Sequence, residues 1–378
     1  MNILDAINKF PLSVATGDAF CNREEEIARL KIWLQQRRPI LMMSPRRYGK
    51  TSLALKAIKE VGLPYAHIDL FSVVDEEDIE RVILAGVANL ISQVGTNVQK
   101  ALGIANKVFS GTLVKVGLTK VGIEVTFQRN QQKTADRILE VLQRLDQLAE
   151  HAGKPMVLFL DEFQTVGEIT TDHSIEAILR QVAQLNNAIS FVFSGSNRHM
   201  LSQMFEDRSR PFYKLCEKIT LERISEAAYK KHIEAITAMR WGTPIHQETI
   251  DAIFHFSERH PYYVNVICSR LLFGEKPDAD TVSALWDQYV IEERSNIAAE
   301  VDLLSMNQRK LLTVLSRENG HKALSGKTFI KIANMSKATI IQAYDYLERK
   351  DYLYKDNSDV VRVLDPLIKA ALAKLKER

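Results

Sequence analysis

Cysteine is scarce in this 378-residue chain. The three that occur, Cys21, Cys216 and Cys268, are widely separated, without CxxC spacing or a Cys/His cluster, which excludes a disulfide framework and a structural zinc site. Buried free thiols are expected. Long apolar runs are missing too: no stretch reaches the roughly 18 residues of a membrane span. The opening MNILDAINKFPLSVATGDAF has no basic segment followed by an apolar run, so no export signal is read there. A cytoplasmic protein without a membrane partner is the expectation. No Pro/Gly/Ser-rich tract marks out a disordered half. Charge of one sign is lacking as well, since the net charge of +3 is too small for nucleic-acid binding by the whole molecule.

What is present is an ordinary folded composition, 46% hydrophobic and 26% charged. The length suggests two or three domains of roughly 100–200 residues each. Charge is uneven along the chain. From Val301 to Arg378 there are 15 Lys+Arg against 9 Asp+Glu, an excess of +6 that leaves about −3 for the rest.

Apolar runs at Pro39–Met43, Tyr65–Leu70, Met156–Leu160 and Ile189–Ser194 alternate with helical patterns at Thr51–Glu60, Ala135–Glu150 and Ser174–Leu185. That alternation predicts an α/β fold with a buried, mainly parallel sheet covered on both faces. A fifth strand is expected at Lys218–Leu221, and a helix capped by Asn22 at Asn22–Gln35. An insertion over about 75–127 reads as helices at Asp75–Val94 and Asn97–Phe109, then a hairpin at Leu113–Phe127 that could face a partner. Beyond Leu221, helices are predicted at Ser225–Ala238, Gln247–Glu258, Pro261–Phe273 and Thr281–Glu300. The last segment reads as helices near Asn307–Arg317, Gly326–Ala333 and Lys337–Lys350, with strands at Tyr352–Tyr354 and Val360–Val363. This is winged-helix order. The expected layout is an α/β core at 1–221, a helical lid at 222–300 and a winged-helix domain at 301–378.

SPRRYGKT, Ser44–Thr51, matches the phosphate-loop pattern GxxxxGK[ST] except that Ser44 replaces the first glycine. Gly49 lets the backbone wrap a phosphate, Lys50 reaches the β- and γ-phosphates, and Thr51 offers a hydroxyl to Mg²⁺. The expected nucleotide contacts therefore run through Ser44, Pro45, Arg46, Arg47, Tyr48, Gly49, Lys50, Thr51 and Ser52. A strand before and a helix after supply the required context. The strand Met156–Leu160 then delivers Asp161 and Glu162 at its carboxyl end, where ligands of open α/β sheets sit. Asp161 is expected to hold Mg²⁺ with Thr51, and Glu162 to polarise an attacking water. Ser196 or Asn197 in SGSN (Ser194–Asn197) could bond the γ-phosphate or its water. Arg198, Arg208 and Arg210 are candidates for an arginine that stabilises the transferring phosphate, though each reads more simply as a surface arginine.

These residues resemble the AAA+/STAND-type P-loop ATPases of archaea and bacteria, related to the archaeal origin-recognition ATPases. The resemblance spans nearly the whole chain through GDAFCNREEEIARL (Gly17–Leu30), SPRRYGKTSL (Ser44–Leu53), the Asp161–Glu162 strand end, SGSN (Ser194–Asn197), RPFYKLCEKITL (Arg210–Leu221) and RHPYYVNVICSRL (Arg259–Leu271). It implies that Phe20 and Arg23 lie beside the adenine, that Ser196 or Asn197 is sensor 1, and that the His260–Pro261 step lies near the base. For the lid arginine of sensor 2, Arg259 and Arg270 are weakly placed candidates.

The expected function is an ATP-hydrolysing switch using ATP and Mg²⁺, coupled through the winged helix to a protein partner and compatible with a homo-oligomer. A DNA-binding protein with nucleotide as a structural ligand is the alternative, and a small-molecule kinase a more distant one. Lys337, Thr339 and Gln342 could meet DNA. Against this, Asp345, Glu348, Asp351, Asp356 and Asp359 put acid on the same helix and wing.

Overall fold

The computed structural model describes residues 3–95, 98–110, 114–119, 122–127, 133–356 and 358–374. Two compact units divide the chain: a sheet unit, Arg23–Arg46 with Lys50–Leu221, and a helical unit, Met1–Asn22, Arg47–Gly49 and Glu222–Arg378.

The apolar runs of the sheet unit become strands β1 (Ile40–Met43), β2 (Tyr65–Asp69), β5 (Met156–Asp161), β6 (Ile189–Gly195) and β7 (Glu217–Thr220). All neighbours pair in parallel, in the order β2-β5-β6-β1-β7. Every residue of β1, β5 and β6 is buried, which is why these strands show no alternation in the sequence. Helices Lys50–Val61, Glu76–Val94, Thr134–His151 and Ser174–Leu185 flank the sheet. Glu76–Val94 buries Ile79, Ile83, Val87, Leu90 and Ile91 at helical spacing. Strand order and parallel register bring the carboxyl ends of β1, β5 and β6 together, with Met43 opposite Gly195 and Leu160 opposite Phe193. Between β2 and β5 the insertion contains helix Val98–Val108 and the antiparallel hairpin β3 (Val114–Thr119) and β4 (Gly122–Phe127). Asn97, Leu113, Lys120 and Val121 lie outside the described residues.

The helical unit has helices Glu226–Trp241, Gln247–Ser257 and Pro261–Leu271 around a core that includes Phe10, Tyr229, Tyr263 and Trp286. Helices Met306–Arg317, Lys327–Ala333 and Lys337–Arg349 follow, then the antiparallel strands β8 (Leu353–Lys355) and β9 (Val361–Val363). Asn357 lies outside the described residues.

Some local expectations fail for identifiable reasons. The first helix of the sheet unit begins at Glu24, not Asn22: Asn22 and Arg23 both adopt left-handed backbone, and Arg23 occupies the cap position without a side-chain bond. Glu24, Glu25 and Glu26 at the positive helix end substitute for a cap. The single helix expected over Thr281–Glu300 is two, Ala279–Glu292 and Arg294–Asp302. Continuing the buried stripe of Trp286, Tyr289 and Val290 would need an apolar residue where Glu293 and Arg294 stand. Short helices at Gln164–Ile169, Arg198–Glu206 and Pro366–Ala373 have no counterpart in the sequence reading.

The three cysteines are free; Cys268 is buried, and Cys21 and Cys216 half-buried. Burial pushes the Cys216 and Cys268 thiols well above their ordinary range. No helix among the described residues is long and apolar enough to cross a membrane.

Candidate functional site

β1 ends in the phosphate loop, and helix Lys50–Val61 starts at its far side. Ser44 keeps an ordinary backbone, so the glycine missing from the first position is not needed there. The left-handed positions are Arg47 (φ 64°) and Gly49 (φ 89°). A Cβ on Gly49 would meet nothing within 4 Å, so its requirement is conformational rather than steric. Lys50 is only 5% exposed, and its ammonium donates to the carbonyls of Ser44 (3.0 Å) and Pro45 (3.2 Å). Arg46 donates from Nε to Ser196 Oγ at 3.4 Å, and its guanidinium lies 5.6 Å from the centre of the Phe71 ring. Ser52 is buried on the first turn of the helix.

Across the sheet end, Thr51 Oγ1 donates to Asp161 Oδ2 at 2.6 Å. Ser194 donates to Asp161 Oδ1, and His67 Nε2 lies 3.4 Å from Oδ2. Burial disfavours the ionised Asp161 carboxyl, but the bonds from His67, Ser194 and Thr51 outweigh it and hold the group at about 2. It is therefore a carboxylate at any working pH. A hydroxyl and a carboxylate 2.6 Å apart are hard oxygen donors of the kind Mg²⁺ uses while it keeps waters and phosphate oxygens as its other ligands. Among the described residues, no cluster of three or more His, Cys, Asp or Glu forms a protein-only metal cage.

Glu162 has left-handed backbone (φ 52°), unusual for a non-glycine residue. Its Oε2 accepts from Gln164 Nε2 (2.6 Å), Ser196 Oγ (2.7 Å) and the Ser196 amide (3.3 Å). Gln164 is buried, and its own Oε1 has no partner. Gly195 makes room for it, since a Cβ there would lie 2.0 Å from Gln164 Oε1 and 2.9 Å from Leu201 Cδ1. Gly195→Ala should therefore push the Gln164 amide off Glu162 and slow ATP hydrolysis about tenfold, with nucleotide binding largely retained. Phosphate release and equilibrium titration with a fluorescent ATP analogue measure the two effects separately.

The sheet unit thus brings together Ser44, Pro45, Arg46, Lys50, Thr51, Ser52, Asp161, Glu162 and Ser196. Asn197 is otherwise engaged: its Oδ1 caps helix Arg198–Glu206 by accepting from the Met200 amide at 3.0 Å, and its Nδ2 lies 3.4 Å from Glu168. Arg23, also in the sheet unit, is buried and paired with Glu26 at 3.0 Å. Arg210 is paired within its own chain with Glu176 at 2.6 Å, whereas Arg208 is exposed. His67, Ser194 and Gln164 carry much of the site's geometry, and no motif in the sequence assigns them that role. The signal for His67 was its place in the run YAHIDL, two residues before Asp69, which pairs with Asp161.

Phe20, Pro261 and the loop tip Arg47–Gly49 belong to the helical unit. Phe20 is half-buried, and Pro261 is the first residue of helix Pro261–Leu271. Within this unit, the buried Tyr48 ring meets His260 edge to face at 4.9 Å, and the Arg47 guanidinium lies 4.1 Å from the centre of the Tyr262 ring. Burial, reinforced by the charges of Arg223 and Arg47, drops His260 to about 3, so its imidazole is neutral. Arg259 donates to the Ile224 carbonyl at 3.2 Å, and Arg270 pairs with Glu292 at 2.7 Å while stacking over Tyr289.

Residues 40–214 match the ATPase family associated with various cellular activities (AAA). Among solved structures, a Walker-type ATPase of Pyrococcus abyssi is similar over 96% of this chain and 99% of that one, with a TM-score of 0.69 and 15% identity. The ORC2 protein of Aeropyrum pernix, solved as ADPNP-ADP complexes, is similar over 92% of each chain, with a TM-score of 0.55 and 14% identity. At these identities the likeness concerns the fold. No curated protein matches the chain.

Proposed function

We propose that the chain, whose residues 40–214 match the AAA ATPase family, is an ATP-hydrolysing switch whose nucleotide state is passed to a partner through its C-terminal elements. The observation that carries the reading is the joint geometry of the acidic pair: Asp161 bonded to Thr51 at the start of the phosphate-loop helix, and Glu162 held by Ser196 and Gln164 on the next strand end. In this reading Lys50 neutralises the β- and γ-phosphates, and Thr51 and Asp161 hold Mg²⁺. When bound, the metal would spread the charge that develops on the transferring phosphate. Glu162 orients water and accepts its proton, while Ser196 and Arg46 flank the γ-phosphate position. Ser196 suits sensor 1 better than Asn197, whose carbonyl is spent on a helix cap. The ADPNP and ADP of the Aeropyrum ORC2 structure support an adenine nucleotide as the ligand.

The proposed division is a core at 1–221, a lid at 222–300 and a winged helix at 301–378, in a cytoplasmic protein. Helix Lys337–Arg349 exposes Lys337, Ile341, Gln342, Asp345, Glu348 and Arg349, a mixed face better suited to a protein than to phosphate backbone. The expected result for the purified full chain is Mg²⁺-dependent phosphate release from ATP that EDTA abolishes. A full chain that shows neither ATP binding nor turnover would overturn the reading. DNA binding, the second reading, would appear as a complex that weakens steeply between two salt concentrations.

A further inference from the structure

We propose that Arg223 is a positioning residue for the phosphate loop: it clamps Tyr48 at the loop tip and ties it to the C-terminal hairpin, so that nucleotide binding and hairpin order are coupled. The inference rests on the ATPase reading above. Arg223 lies in the stretch after β7 and spends its whole guanidinium inside the helical unit. Nε donates to Tyr48 Oη at 3.2 Å. Nη1 donates to the Glu258 carbonyl at 2.8 Å and to Glu258 Oε2 at 2.9 Å, and Nη2 donates to the Leu364 carbonyl at 3.0 Å. Its Cζ lies 5.4 Å from the centre of the Tyr354 ring on β8. One planar fork thus joins the loop tip, the turn before helix Pro261–Leu271, strand β8 and the residue after β9. A lysine, a single point charge, could not satisfy these directions together.

The surroundings argue for more than packing. Glu258 and Arg259 are consecutive left-handed residues (φ 47° and 59°), and Arg47, beside Tyr48, is left-handed too. Such backbone persists only where neighbours over-determine it. The second Glu258 oxygen, Oε1, accepts from Lys369, which also reaches Asn319, so the ionic chain continues into helix Pro366–Ala373. Burial opposes the charge on Glu258, but Lys369 and Arg223 outweigh it and keep the carboxyl below its ordinary range. A buried charged network of this kind stabilises a fold no better than well-packed apolar residues, which leaves its directional bonds as its distinctive property. One of those bonds falls on Tyr48, two residues from Lys50. By linkage, a nucleotide that fixes the loop tip must then order the hairpin, and the reverse must hold.

The test uses the full chain with Tyr48→Phe, Arg223→Met and the double variant. Tyr48→Phe deletes only the shared hydroxyl and keeps the ring on His260, so it decides the matter even if Arg223→Met does not fold. Each single variant should raise KM for ATP about tenfold with a smaller change in kcat, and the double variant should be no worse than either alone. Amide exchange at Leu353–Lys355 and Val361–Val363 should slow when ADP is added to the parent, and this response should vanish in Tyr48→Phe. An unchanged KM in Tyr48→Phe, additive effects in the double variant, or a retained exchange response would each overturn the proposal. A parent that neither binds nor hydrolyses ATP would instead overturn the ATPase reading on which it rests.

Discussion

Glu162→Gln should cut ATP turnover about a thousandfold, within the range spanned by positioned general bases, while ATP binding persists. Glu162 Oε2 already accepts from Gln164 at 2.6 Å and from Ser196 Oγ at 2.7 Å. A glutamine can keep both bonds through its carbonyl oxygen, which leaves its NH₂ where the second carboxylate oxygen stood. That group donates and cannot accept a proton from water. The left-handed backbone at Glu162 is a property of the turn and tolerates either side chain equally, so no loss of stability is expected beyond a fraction of a kcal/mol. Steady-state phosphate release gives the turnover, and titration with a fluorescent ATP analogue gives the binding. Equal turnover by variant and parent would remove Glu162 from the chemistry and leave the acidic pair with a metal-holding role alone.

Parts of this site were readable because their signal is local. The loop Ser44–Thr51 sits within eight residues, and the carboxylates follow an apolar run that a buried parallel strand makes continuous. What escaped depends on register. His67 reaches Asp161 because β2 pairs with β5 so that Asp69 stands opposite Asp161, and Gln164 fits only because Gly195 on β6 leaves room. A shift of one residue in either strand would turn those side chains to the other face, and nothing short-range fixes that choice. Asn197 depends on a boundary in the same way: its Oδ1 caps the short helix Arg198–Glu206 by accepting from the Met200 amide, which only the start of that helix determines. Arg223 carries no local signal. An arginine three residues past a strand reads as surface until the chain folds Tyr48, Glu258 and Leu364 around it.

Lys50→Ala should weaken ATP binding by more than about a hundredfold, the scale of losing a charge-assisted contact with a phosphate in a sheltered site. Lys50 is 5% exposed, and its ammonium donates to the Ser44 and Pro45 carbonyls, the two residues that open the loop. Those bonds hold the charge at the mouth of the loop. Removing the ammonium therefore has two effects. The nucleotide loses its countercharge, and two carbonyls at the base of the loop lose their donor, which costs on the order of 1–3 kcal/mol for each that water cannot reach. A modest fall in melting temperature should thus accompany the loss of affinity. Lys50→Met, which fills more of the same volume, should show the affinity loss with less disturbance of packing. Thermal unfolding separates the two effects: both variants should retain a cooperative transition, and neither transition should rise with added ATP as the parent's does. ATP that still raises the melting temperature of a folded Lys50→Ala protein at micromolar concentration would mean that the nucleotide binds somewhere other than the Ser44–Thr51 loop.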